Sequence, residues 1–192
     1  QLKKPKEVIL VWKKNWQDGR EFGNWFLDVV RRLRLAFPAA KFGWPGLSPG
    51  FGFDQREESI KFLREADFAI KQADWLACHV YWVDEFGLIQ GAGELKNLYP
   101  EKPYMITEFA NPSAQSMREK GEQYVRYYSL LQNTRVMAAF AFCASASNPE
   151  FANQVWRNEQ GQLNEIPTIV GSRGTVPVVK PYKLLIEPWD AV

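Results

Sequence analysis

The sequence predicts an α/β fold of about five parallel βα units, and two observations predict it. Five short apolar runs recur at a spacing of roughly 30 residues, the length of one βα unit. Amphipathic stretches with helical periodicity fall between them. The runs are Val8–Trp12, Lys41–Trp44, Trp75–Trp82, Tyr104–Phe109 and Val136–Cys143. They are apolar on both faces, as the buried strands of a parallel sheet must be.

The intervening stretches supply the helices. Phe22, Trp25, Phe26, Val29, Val30, Leu33 and Phe37 follow the i, i+3, i+4, i+7 rule, so Glu21–Phe37 is predicted helical. Pro38 stops it, because a proline pushes the preceding residue out of the helical region. A second helix is predicted over about Gln55–Gln72, with Asp54 as its N-cap and Ile60, Leu63, Ala66 and Ile70 on one face. A weaker pattern covers Leu88–Leu98 and stops before Pro100. The last covers Ser116–Leu131, through Tyr124, Tyr127, Tyr128 and Leu131.

Right-handed βα crossovers close into an open doubly wound sheet or a barrel. A complete (β/α)₈ barrel takes about 250 residues and eight strands. With 192 residues and five visible strands, the expectation is a partial, half TIM barrel over residues 1–173. From Asn158 onward the chain is rich in proline and glycine with only short apolar runs, and it reads as extended coil packing along the domain. Its end, residues 174–192, is set apart as a tail. The polar opening Gln1–Lys6 runs straight into the first strand. It reads as a cut inside a longer protein or a very short leader.

Composition narrows the function. Hydrophobic residues make up 46% and charged residues 24%, ordinary for a globular protein. The net charge of +2 gives no field that argues for nucleic acid, and no apolar run approaches a membrane span. Eight Trp, seven Tyr and thirteen Phe are more notable. Their faces suit sugar rings, although burial in the core accounts for most aromatics. Cys78 and Cys143 are expected as free thiols. With His79 as the one histidine, a Cys/His zinc site is not expected. GxGxxG, Walker, HExxH and GxSxG patterns are absent, so no cofactor is expected either.

In βα-repeat proteins, ligands meet the C-terminal ends of the strands. Glu108 is the sharpest signal there. It follows the apolar Tyr104-Met105-Ile106 and precedes a turn at Pro112. A carboxylate so placed can act as nucleophile or base on a sugar. His79 and Tyr81 share one strand face by alternation, positioned to hydrogen-bond such a carboxylate. Trp44, Trp82 and Trp156 are candidate stacking platforms. Asn15 and Trp16 lie at the first strand end. Asp84 and Glu85, in the loop after the third strand, are candidates for a second carboxylate.

These residues resemble the second half of the clan A retaining glycoside hydrolases, the cellulase-like TIM barrels. Tyr104-Met105-Ile106-Thr107-Glu108-Phe109 resembles the seventh-strand motif whose Glu is the nucleophile. His79-Val80-Tyr81-Trp82 resembles the sixth strand, whose His and Tyr flank it. Phe37-Pro38-Ala39-Ala40-Lys41, with Trp44-Pro45-Gly46, resembles the passage into the fifth strand. Val136–Cys143, with Trp156-Arg157 and Gly161, resembles the eighth strand and its exit. The resemblance implies that the chain covers strands four to eight. It also marks departures: Lys13 stands where the family carries its acid/base Glu, and Cys143-Ala144-Ser145 where an aromatic strand end is usual.

The expected function is therefore a retaining glycosidase on β-linked oligo- or polysaccharide with Glu108 as nucleophile. The acid would come from Asp84, Glu85 or a partner chain. A carbohydrate-binding relic and a self-associating half-barrel, a homodimer that completes the barrel, are the alternatives. Nothing in the sequence fixes the compartment.

Overall fold

A computed structural model describes residues 18–47, 60–83, 98–132 and 134–173. The predicted strand Val8–Trp12, the N-cap Asp54, nearly all of the predicted helix Leu88–Leu98 and the tail 174–192 lie outside the described residues.

The first element is helix α1, Gly19–Ala36, within two residues of expectation at its start and one at its end. Strand β1, Gly43–Trp44, follows. Residues 60–65 are helical and lead through a turn into α2, Asp67–Ile70. Then come β2, Trp75–Tyr81, and β3, Tyr104–Ala110. Helix α3 is Met117–Leu130 and β4 is Val136–Ala141. A 3₁₀ turn at Pro149–Phe151 and helix α4, Glu165–Gly171, complete the chain described. The four strands form one sheet in the order β1-β2-β3-β4, each pair parallel. The α/β class and the parallel βα order are those expected of a partial barrel.

The helices bury one face of the sheet. Leu76, Cys78, Val80 and Trp82 alternate along β2 and its exit, and all are buried with Phe26, Val30, Leu63, Ile70, Tyr124, Tyr127 and Ile166. Each large apolar side chain so buried contributes about 1.5–3 kcal/mol. Helix α1 approaches the 60–70 segment very closely. A Cβ on Gly23 would strike the Phe68 ring, which explains a glycine in a helix interior. The buried stripe of α1 is accordingly Gly19, Gly23, Phe26 and Val30. Trp25, Leu33 and Phe37, expected on that stripe, remain exposed.

Helix α3 starts at a capping box. Ser116 accepts from the Glu119 backbone N–H, and the Glu119 carboxylate accepts from that of Ser116. One expectation fails in the segment after Asn158, which is not all extended coil. Glu165–Gly171 is helical because the Asn164 side chain caps the Ile166 N–H. Pro167 sits in the first turn, where its missing N–H costs nothing. Ile166 and Val170, one turn apart, are buried, and Ile169 packs on Gly121 of α3.

Candidate active site

A bulge builds the site. Side chains alternate along a strand, so His79 and Tyr81 face away from the helix-covered side that Leu76, Cys78 and Val80 occupy. On β3, Tyr104 and Ile106 face the helices, and unbroken alternation would send Glu108 the same way. Instead the ladder slips. Cys78 pairs with Ile106, but His79 pairs with Glu108, leaving Thr107 as an extra residue. A one-residue slip reverses which side each later residue faces. Phe109 turns into the core, fully buried, and Glu108 joins His79 and Tyr81.

The three side chains then meet. The Tyr81 hydroxyl donates to Glu108 Oε2 at 2.5 Å, and His79 Nδ1 lies 3.3 Å from the same oxygen. The Glu108 side chain keeps 34% of its accessible surface and His79 keeps 19%, so the carboxylate is held from one side and open on another. Burial lowers the His79 pKa below its ordinary value, and the negative charge of Glu108 partly counters that. Burial raises the Tyr81 phenol, and its hydrogen bond to Glu108 and that charge raise it further. At neutral pH the carboxylate therefore faces a phenol that keeps its proton and an imidazole that burial biases towards its neutral form.

Neighbours complete the walls. Gly46, beyond β1, lies where a Cβ would meet both the His79 ring and Thr107 Oγ1, so only glycine lets this backbone pass. The Thr107 hydroxyl is buried with no hydrogen-bond partner among the described residues. β4 ends at Ala141, earlier than expected. Phe142 is therefore the aromatic residue at the strand exit, edge-on to Tyr81 with ring centroids 6.2 Å apart. Cys143 is a free thiol, raised by burial and by the charge of Glu108. Gly46 and Phe142 were missed in the sequence. A strand boundary at Ala141 was the signal that would have pointed to Phe142.

Two of the proposed platforms are corrected. Trp44 is 0% exposed and packs against Phe22, Phe26 and Phe62. Trp82 is 2% exposed, stacked on Phe109, with its indole N–H donating to Gln123. Neither has a face left for a sugar, because both belong to the helix-covered side. Trp156 is half-buried beside the β4 exit, its backbone N–H donating to the Cys143 carbonyl. Asn15, Trp16, Asp84, Glu85 and Lys13 lie outside the described residues. Among the described residues no cluster of three or more His, Cys, Asp or Glu can hold a metal, and no helix is long and apolar enough to cross a membrane.

The family model described as "Glycosyl hydrolase catalytic core" matches residues 34–169, a stretch that contains β1 to β4 and Glu108. No curated protein matches the chain. Solved structures similar to it include a GH128 (subgroup VI) exo-beta-1,3-glucanase from Aureobasidium namibiae. That likeness has 16% identity and a TM-score of 0.61, covering 78% of this chain and 60% of the other. A GH128 (subgroup IV) endo-beta-1,3-glucanase from Lentinula edodes has 17% identity and a TM-score of 0.62, with 79% and 63% covered. A GH128 (subgroup II) endo-beta-1,3-glucanase from Sorangium cellulosum has 24% identity and a TM-score of 0.52, with 68% and 54% covered. At these identities the likeness is one of fold, and the chain spans less than two thirds of each structure's length. By the extent of the family match, this chain belongs to the glycosyl hydrolase catalytic core family.

Proposed function

We propose that this chain is a glycosidase domain acting on β-linked glucan by a retaining mechanism, with Glu108 as nucleophile. The observation that carries it is the half-exposed carboxylate at the β3 exit, held at one oxygen by Tyr81 and His79. With Oε2 so engaged, Oε1 is the atom that attacks the anomeric carbon. The bond to the leaving oxygen breaks as the glycosyl ester forms, and water later hydrolyses that ester. Tyr81 and a neutral His79 protonated on Nδ1 fix the rotamer of the carboxylate, so that it meets the sugar in one geometry. Phe142, beside Tyr81, provides an apolar wall that Trp44 and Trp82 cannot, whereas Trp156 packs on Tyr124. The similar structures are β-1,3-glucanases, which makes β-1,3-glucan the first substrate to try.

A retaining mechanism also needs an acid about 5–5.5 Å from the nucleophile. Lys13 takes the place where the resembled family has that Glu. Asp84, Glu85 or a second chain would then supply the proton. Substrates with leaving groups that need no protonation should react fastest. The test is turnover of soluble β-1,3-glucan and activated aryl β-glucosides by the purified chain beside Glu108→Gln. Turnover that falls about 1,000-fold or more in the variant supports the proposal, since that is the scale on which one member of a catalytic set is felt. Turnover that survives the substitution ends it. If neither protein turns over, a carbohydrate-binding relic is the better description, and titration with oligosaccharide distinguishes it.

The exposed apolar residues of β4 motivate a second proposal, self-association. Met137 and Phe140 of β4 are 42% and 50% exposed, and a second copy would cover them. A clean monomer in sedimentation at micromolar concentration sinks that idea.

A further inference from the structure

Past Glu108, the chain leaves β3 through a ring of side-chain amides. Asn111 is fully buried, three residues beyond Glu108. Its Nδ2 donates to Gln115 Oε1 at 2.8 Å and to Gln123 Oε1 at 2.7 Å. Gln123 Nε2 donates to Gln115 Oε1 at 2.7 Å, closing the triangle. Asn111 Oδ1 accepts from the Ser113 backbone N–H at 2.8 Å, and its own backbone N–H donates to the Tyr124 hydroxyl at 3.2 Å. Gln123 Oε1 also accepts from the indole N–H of Trp82 at 2.9 Å. From the far side, Asn153 Nδ2 donates to the Pro112 carbonyl at 2.6 Å, and the buried Lys120 ammonium donates to the Asn153 carbonyl at 2.6 Å.

The connectivity matters more than the number of bonds. Trp82 directly follows Tyr81 on β2, and Asn111 follows Glu108 on β3. Gln123, on α3, grips both strand exits at one oxygen atom. It therefore sets the spacing of the two strands just beyond the Tyr81–Glu108 hydrogen bond, where the Trp82 N–H donates to the Ala110 carbonyl. Asn111 is the buried member of this amide triangle and its side-chain donors and acceptor are all paired, so moving it leaves a desolvated group unmatched, while Gln115 and Gln123 hold it from the solvent side. We infer that Asn111 and Gln123 are positioning residues that hold Tyr81 against Glu108. The inference rests on Glu108 being the reacting group proposed above.

Gln123→Ala tests it in the full chain. Gln123 is half-exposed on a helix, where alanine favours the helical state, so the variant should fold. The first readout is the Tyr81 hydroxyl proton in ¹H NMR. A short hydrogen bond to a carboxylate places it far downfield, and Tyr81→Phe identifies it by its disappearance. In Gln123→Ala and Asn111→Asp it should move upfield or vanish, while in Val30→Ala, a core change on α1, it should stay. The second readout is kinetic. Gln123→Ala should lower kcat by about 10- to 100-fold, the scale of a misplaced catalytic group, with little change in KM. In a Tyr81→Phe background it should have almost no further effect, the non-additivity expected of residues that act through one pair. An unmoved proton in both clamp variants, with only the unfolding midpoint lowered, overturns the inference. A moved proton in a protein that hydrolyses no glucan keeps the clamp and removes the glucanase proposal.

Discussion

The two ends of the β2–β3 pair use the same residue types for opposite purposes. At the start, the ladder is regular from Leu76 opposite Tyr104 to Cys78 opposite Ile106. Tyr104 donates its hydroxyl to the Tyr99 carbonyl, and Tyr99 donates its own to Asp67 at 2.9 Å. Lys102 closes this end by donating to the carbonyls of Lys71 and Ala73. At the other end the ladder bulges, and Tyr81 donates to a carboxylate that solvent can reach. Both phenols are held above the ordinary range by burial, Tyr104 up to about 12. A phenol given to a backbone carbonyl locks a fold. Tyr81, by contrast, donates to the carboxylate proposed above as nucleophile.

Substitutions can break that division. The largest effect should be Glu108→Gln, which removes turnover by about 1,000-fold or more while the thermal unfolding midpoint stays near that of the parent. Next is Ile106→Ala at the regular part of β3. It should cost about 2–5 kcal/mol of stability, read by urea unfolding, while the fraction that remains folded keeps its kcat. The tyrosine pair is the sharpest comparison. Tyr81→Phe should lower kcat about 100-fold, as losing one preorganised donor does. Tyr104→Phe should leave kcat alone and cost about 0.5–1.5 kcal/mol, because the Tyr99 carbonyl loses one partner and keeps the Lys102 backbone N–H. Equal kinetic losses in the two variants would erase the distinction drawn here.

The smallest effect is a pH slope. Burial lowers the folded-state pKa of His79, so the unfolded chain binds the proton more readily. Stability from this group is complete above the unfolded value of about 6.5 and is lost as pH falls towards the folded value. Urea midpoints at pH 7.5 and pH 5 should differ in that direction, and His79→Gln should flatten the difference.

Much of this was legible in the residues. Helical periodicity located α1 and α3, because each buries one stripe against the sheet. The apolar runs located β2 to β4, because strands of a βα repeat carry apolar side chains towards the helices that cover them. A carboxylate closing such a run marked Glu108. The tryptophans were harder. Trp44 and Trp82 sit at strand exits, as a platform would, yet both rings turn to the helix side. Position along a strand says nothing of which face is covered until the helices are docked. Helix α4 was missed because its buried stripe is only Ile166 and Val170, too short to show a period.

By itself, the sequence determined that this is a βα-repeating chain with one acidic strand exit flanked by a histidine and a tyrosine. Local periodicity suffices for that, since alternation and the helical turn are properties of the backbone alone. Only the tertiary structure decided that the three side chains converge. Glu108 reaches the side of His79 and Tyr81 because the ladder slips at Thr107, and register belongs to the pairing of two strands rather than to either one.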